Sequence, residues 1–222
     1  MRYIGLCNMQ LEKFDKALEI FDKALEIVPE HAYILLDKGL LLSKLEKHNE
    51  ALSCYDKVIQ IQPNNVDALF NKGLTIFTLG DHTQAISCFD KVLQDDSKHL
   101  EALYNKALSL SILSKYEEAI SNFNRVLEID TTNVKSFIGK IYPLNKLERY
   151  DDVLKCCEEV LRFDHENALS LYNKAKVKAM KNELEEAMTI LGKAIKTNPD
   201  YEQKSKSDPA FEKMFSKDSD GF

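Results

Sequence analysis

A seven-residue segment of this chain returns at a fixed interval. Ala68–Leu74 reads ALFNKGL, Ala102–Leu108 reads ALYNKAL, and Leu171–Ala175 reads LYNKA. The first two copies begin 34 residues apart, and Asn105 and Asn173 are separated by 68 residues, which is twice that interval. A period this long indicates an array of similar units that stack on one another, so it decides the fold class before any local pattern does.

The repeat can be written without an insertion or a deletion. Five blocks follow one another at 32–65, 66–99, 100–133, 134–167 and 168–201, and residues 1–31 form an earlier block that lacks its first three positions. In each block an apolar pattern of helical period breaks at a polar turn and then resumes, which predicts a helical hairpin. Asp208 and Pro209 predict the start of a short capping helix in a tail at 202–222.

Aligned positions in the blocks explain how such hairpins would pack. A column of glycine or alanine and a column of alanine allow two helix axes to approach closely, and a third column holds large rings. Prolines at the block ends stop the second helix. These positions are Gly5, Gly39, Gly73, Ala107 and Ala175; Ala17, Ala51, Ala85, Ala119 and Ala187; Phe21, Tyr55, Phe89 and Phe123; and Pro29, Pro63 and Pro199.

The order of small residue, alanine, aromatic residue, alanine or valine and proline, at 34-residue spacing, resembles the tetratricopeptide repeat over residues 1–201. The phrases NKG and FDKALEI resemble the stand-alone arrays of archaea and cyanobacteria. The resemblance implies an all-α, right-handed superhelical solenoid of antiparallel helix pairs, with the first helix of each pair on the concave face. It also implies a scaffold that binds other proteins.

Net charge, apolar stretches and cysteine positions indicate which partners and which cellular location to expect. The net charge is −6 and no long run of like charges occurs, so nucleic acid is not expected as a partner. We expect a soluble, cytoplasmic protein without a membrane segment, because no 18-residue apolar stretch and no leader pattern occur. The five cysteines lie inside helical patterns and are expected to be reduced thiols.

The sequence contains no pattern that predicts catalysis. We find no phosphate-binding glycine loop, HExxH, paired CxxC or nucleophile motif. His48 and His82 replace an aromatic residue beside the turn, and His31 and His99 share another turn column, so a structural role is expected for all four. We therefore predict no enzyme activity, no cofactor and no metal site.

One face of the first helices is predicted to bind a peptide. Its polar column includes three asparagines, whose amides can pair with the main chain of an extended peptide or, alternatively, with neighbouring repeats. Apolar and aromatic columns lie beside it and would form a binding patch if they face solvent. The predicted binding residues are Leu36, Asp37, Leu40, Phe70, Asn71, Leu74, Phe77, Tyr104, Asn105, Leu108, Ile112, Tyr142, Tyr172, Asn173 and Lys176.

Lysines collect towards the C-terminal end of this face, which favours a ligand with apolar anchors and an acidic end. Arrays that grip the carboxylate tail of large chaperones carry lysine and asparagine where this chain has Phe70 and Leu74, so that clamp is not expected. Two alternatives remain open. The protein is a self-assembling module that forms homo-oligomers through its end repeats or tail, or it is the repeat segment of a longer multidomain protein.

Overall fold

The structure, a computed structural model, describes residues 1–216 as helices joined by short turns. The chain divides into two compact units, Met1–Leu113 and Ser114–Phe222. Residues 217–222 of the predicted tail lie outside the described residues. No strand occurs between residues 1 and 216, and consecutive helices pack in pairs, so the predicted all-α class is confirmed.

The first unit contains seven helices in residues 1–113. Each helix packs against the next along the chain, and the first helices of neighbouring hairpins also lie side by side, α3 against α5 and α5 against α7. The helices are α1 Arg2–Gln10, α2 Phe14–Ile27, α3 Ala32–Lys44, α4 His48–Ile61, α5 Val66–Thr78, α6 His82–Asp95 and α7 Leu100–Ile112.

The second unit continues with the same spacing and then departs from it. Its last hairpin is followed by an extra helix and a short 3₁₀ turn, which packs back against α11. The described elements are α8 Tyr116–Ile129, α9 Val134–Lys146, α10 Tyr150–Phe163, α11 Ala168–Met180, α12 Leu184–Thr197, α13 Asp200–Ser207, the 3₁₀ helix Pro209–Phe211 and α14 Glu212–Ser216.

The ends of the first helices follow the 34-residue period, except that α1 has no side-chain cap at its start. At the start of a helix, a histidine or asparagine side chain accepts a hydrogen bond from the backbone N–H three residues further on. At the turn into the second helix, one residue adopts a positive φ. The capping residues are His31, Asn65, His99, Asn133 and Asn167, and the positive-φ residues are Glu12, Glu46, Gly80, Ser114, Glu148 and Asn182.

A glycine against a ring fixes the spacing inside the first three hairpins. A Cβ at Gly39 would lie 2.6 Å from Cε1 of Tyr55, and one at Gly73 would lie 2.7 Å from Cε1 of Phe89. Both rings are fully buried. The helices therefore approach more closely than a side chain at these positions allows, as the small and aromatic columns predict.

Ion pairs repeat between the second helix of one hairpin and the first helix of the next. Each joins an acidic residue to a lysine sixteen positions later, and each lysine is mostly buried along its stem. The pairs are Asp22–Lys38 and Asp56–Lys72 at 2.5 Å, Asp90–Lys106 at 2.6 Å and Glu158–Lys174 at 3.1 Å. In the remaining block Asn124 stands where the acid would be, opposite Lys140.

The glycine contacts predict opposite effects at two sites. Gly73→Val should lower the free energy of unfolding by about 1–3 kcal/mol, because the new side chain would overlap the Phe89 ring in a filled core. Gly192→Ala should raise it by about 1 kcal/mol, because Gly192 lies inside α12 with open space around it. Urea unfolding followed by circular dichroism measures both, and a stabilising Gly73→Val would contradict the packing described.

Candidate functional site

Eleven of the predicted binding residues lie in the first unit, on α3, α5 and α7. Leu40 and Ile112 are exposed, with 36% and 55% of their surface accessible. A second group of predicted residues is half-buried and lines the same side of adjacent helices. We call this group, together with Leu40 and Ile112, the first-helix surface. The half-buried members are Phe70, Asn71, Leu74, Phe77, Tyr104, Asn105 and Leu108.

Leu36 and Asp37 differ from the expectation of an open site. Both are buried, with 7% and 5% of their surface exposed. Arg2 of α1 donates hydrogen bonds to the two carboxylate oxygens of Asp37, at 2.5 and 3.3 Å, and its guanidinium lies 5.1 Å from the centre of the Tyr33 ring. The first hairpin therefore covers this end of the predicted face, and Asp37 serves as an internal ion-pair partner.

The asparagines of the first unit bond within their own helices. The side-chain amide of Asn71 donates to the carbonyl of Asp67 at 2.7 Å, and that of Asn105 donates to the carbonyl of Glu101 at 2.7 Å. These bonds hold each amide in one orientation on a half-buried surface. They do not tie either asparagine to a neighbouring repeat.

Aromatic contacts orient the rings beside these asparagines. The Phe70 ring lies 6.0 Å from Phe89 and 4.9 Å from His99, measured between ring centres. Phe77 meets His82 edge to face at 4.9 Å. Because His99 also caps α7, one residue both starts a first helix and supports a ring of the preceding one. This agrees with the structural role predicted for His99.

The four predicted residues of the second unit do not form one open face. Tyr142 is 54% exposed on α9, whereas Tyr172 is only 2% exposed on α11. The Tyr172 ring stacks on Tyr201 at 4.6 Å and lies 5.5 Å from Phe211. Tyr172 was expected to anchor a ligand, but the chain that follows α12 covers it.

Asn173 is held by hydrogen bonds inside the second unit. Its amide nitrogen donates to the carbonyl of Leu169 at 2.8 Å, so its oxygen must be the acceptor for the amide of Asn145 at 3.0 Å. Asn145 comes from the preceding repeat. Asn173 therefore bonds to a neighbouring repeat, which is the alternative to peptide binding stated above for the asparagines.

Lys176 forms part of a partly buried polar contact. Its ammonium lies 2.7 Å from Oδ2 of Asp208, which also accepts a hydrogen bond from the Tyr172 hydroxyl at 2.9 Å. Burial raises the pKa of Asp208, but hydrogen bonds from Lys176, the Ala210 N–H and Tyr172 outweigh burial, so this pKa lies below its usual value. The carboxylate is thus ionised at neutral pH.

A cleft of about 710 Å³ opens beside this contact. We call it the α9–α11 cleft, and sequence reasoning did not predict it, because six of the fifteen residues that line it come after the last repeat. The sequence shows an acidic residue at Asp208 and an aromatic residue at Phe211, but it does not show where these residues dock. The residues that line the cleft include Tyr142, Asn145, Lys146, Tyr150, Tyr172, Asn173, Lys176, Met180, Lys204, Asp208 and Glu212.

The repeating ion pairs were also missed. Acidic residues on the second helices look like a solvated surface when each is considered with its nearest lysine along the same helix. The offset of sixteen residues, repeated every 34, is the signal that identifies Asp22, Asp56 and Asp90 as partners of the following hairpin.

None of the helices in residues 1–216 is both long enough and apolar enough to cross a bilayer. Over the same residues, no group of three or more His, Cys, Asp and Glu side chains is placed to hold a metal ion. The α9–α11 cleft and the first-helix surface are therefore the features that we consider for function.

The helix pairs of this chain recur every 34 residues and leave one face of their first helices uncovered. These features place the chain in the class of helical repeat proteins. Tetratricopeptide repeat models match residues 1–64 and 168–201, and the model described as subunit 3 of the anaphase-promoting complex, or cyclosome, matches residues 49–126. A search of proteins with curated functions found no significant match.

Solved structures show the same fold. YrrB, described as a tetratricopeptide repeat protein with an unusual peptide-binding site, aligns with a TM-score of 0.72 and 24% identity over 82% of this chain and 94% of its own. MamA aligns with a TM-score of 0.72 and 20% identity over 81% and 97%. A tetratricopeptide repeat protein of Parabacteroides merdae aligns with a TM-score of 0.75 and 20% identity over 88% and 77%.

These matches and the fold support a tetratricopeptide repeat protein. Proteins of this fold are generally non-catalytic interaction scaffolds. The predicted resemblance to arrays of archaea and cyanobacteria, in contrast, is not supported by the comparisons.

The contact at Asp208 predicts how the C-terminal segment is held. Asp208→Asn should weaken docking of residues 208–216 by about 1–3 kcal/mol, because a charge-assisted hydrogen bond is lost and Lys176 is left without its partner. Trypsin should then cleave after Lys206 at least several-fold faster. Glu212→Gln, on the exposed rim of the cleft, is the control and should leave the rate unchanged.

The lowered pKa of Asp208 makes the docking of residues 208–216 depend on pH. A carboxylate whose pKa is lower when docked stabilises docking above its undocked pKa, about 4, and the stabilisation is lost as pH falls through the docked value. The protection of residues 208–216 against hydrogen exchange, relative to the intrinsic rate at each pH, should therefore fall only below about pH 4. Equal protection of wild type and Asp208→Asn at neutral pH would contradict this account.

Proposed function

We propose that the protein is a non-catalytic scaffold that binds a peptide or helix of a partner protein on its first-helix surface. The observation that carries the proposal is the row of accessible apolar side chains on α3, α5 and α7. These helices lie side by side, so Leu40, Leu74 and Leu108 occupy equivalent places on three adjacent helices. An apolar row that continues from helix to helix is typical of a binding site.

The asparagines support this proposal in a specific way. Asn71 and Asn105 lie next to the apolar row, and each is oriented by a bond to its own helix. A fixed amide can exchange hydrogen bonds with a peptide main chain without the entropy cost of ordering it first. Such contacts hold an extended segment, while the neighbouring rings take its apolar side chains.

The comparisons support the same class of function. YrrB has the same fold and is described as having a peptide-binding site. At 24% identity that likeness concerns the fold, so the binding residues of this chain have to be argued from its own surface. The covered positions, Leu36, Asp37, Tyr172 and Asn173, are internal contacts in our proposal, and the exposed positions carry the binding.

The proposal predicts that a single charged residue introduced into the first-helix surface prevents the binding of a partner protein. Leu40→Arg and Ile112→Arg should each reduce the capture of a specific protein from native lysate about tenfold or more, because burying a guanidinium against apolar groups is costly. Quantitative mass spectrometry of the captured proteins measures the effect.

Matched changes on second helices provide the control. Ile61 on α4 is 37% exposed, almost the same as Leu40, and Ile27 on α2 is also exposed. Ile61→Arg and Ile27→Arg should leave capture unchanged. Equal losses from both sets would contradict a binding site on the first helices, and sedimentation of each variant establishes that a loss does not come from altered self-association.

A further inference from the structure

We propose that the α9–α11 cleft binds an acidic peptide segment in which a carboxylate lies next to an aromatic or long apolar side chain. The inference rests on the proposed function, since it names the chemistry of a partner segment at one part of the repeat array.

The charges that line the cleft favour an anion. Lys146, Lys176, Lys204 and Lys213 line it, and the opposing carboxylates are Asp208 and Glu212. Asp208 is already paired with Lys176. Within residues 1–216, neither Lys146 nor Lys204 has a carboxylate at ion-pair distance, so two ammonium groups face the cleft without a counter-ion.

Aromatic rings hold these two ammonium groups in place. Nζ of Lys204 lies 4.9 Å from the centre of the Tyr172 ring and 5.3 Å from that of Tyr201, and Nζ of Lys146 lies 5.5 Å from the centre of the Tyr142 ring. A cation–π contact positions a cation but leaves its charge uncompensated. The lysines are therefore oriented for a ligand carboxylate and do not have to give up an internal ion pair to bind it.

The walls of the cleft suit an apolar neighbour of that carboxylate. Tyr142 and Met180 are exposed, with 54% and 44% of their surface accessible. A ring and an adaptable thioether side chain accept aromatic or long aliphatic groups. The volume of about 710 Å³ is within the usual range for a ligand site and leaves room for more than one side chain.

The chain's own segment shows that such a combination fits this wall. The Asp208 carboxylate binds Tyr172 and Lys176, and three residues later the Phe211 ring packs 5.5 Å from the centre of Tyr172. An acidic residue and an aromatic residue are thus already bound at one side of α11. The unpaired Lys146 and Lys204 extend the same chemistry into the open part of the cleft.

Fluorescence anisotropy tests the proposal on the full chain. The probe is a short fluorescein-labelled peptide that carries glutamates beside phenylalanine and leucine, and the matched peptide has glutamine at each glutamate. We expect the acidic peptide to bind more tightly than the neutral one. Lys146→Gln and Lys204→Gln should each raise its Kd about threefold, which is the size of a solvent-accessible ion pair.

A control lysine and a wall residue sharpen the test. Lys196 is an exposed residue of α12 that lies outside the cleft, so Lys196→Gln should leave the Kd of the acidic peptide unchanged. Tyr142→Ala should raise that Kd. The proposal is overturned by equal binding of the two peptides, by absence of acidic-peptide binding, or by an equal effect of Lys196→Gln. If partner capture still depends on Leu40 and Ile112 in that case, the scaffold function stands and only the cleft's assignment fails.

Discussion

The first three hairpins are held by a close contact between the backbone of a glycine and a buried ring. At Gly39 and Gly73 even a methyl group would overlap Tyr55 or Phe89, so the two helices of a hairpin meet at a distance that only a few residue types permit. Once that spacing is set, the alanines of the second helix lie in full burial. Each hairpin then presents a similar surface to the next, and repetition extends the core.

The polar residues place these hairpins in register. A side-chain cap such as Asn65 starts each later first helix, and a residue with positive φ such as Gly80 turns the chain into the second helix. Ion pairs like Asp56–Lys72 then join the second helix to the next first helix at the edge of the core. Exposed pairs of this kind contribute about 0–1 kcal/mol each, so their role is to select a register more than to hold the fold together.

Repetition explains why so much of the fold could be predicted and why the site could be predicted only in part. Alignment alone identified Gly73, Phe89 and the helical hairpins, because the same packing problem is solved in the same column several times. Exposure is not repeated in this way. Asp37 and Tyr172 occupy columns that are more open elsewhere, but Arg2 and the segment around Phe211 cover them. No period predicts where a non-repeating segment docks, so the α9–α11 cleft emerged only from the structure.

The proposed scaffold function requires that an accessible face of the first helices, and not the second helices, contacts another protein. Photo-crosslinking in native lysate tests it most directly, with a photoreactive phenylalanine analogue placed once at Ile112 and once at Ile27, both exposed in the same unit. We expect a discrete adduct from position 112 that position 27 does not form. The same adducts from both positions, or an adduct from position 27 alone, would contradict it.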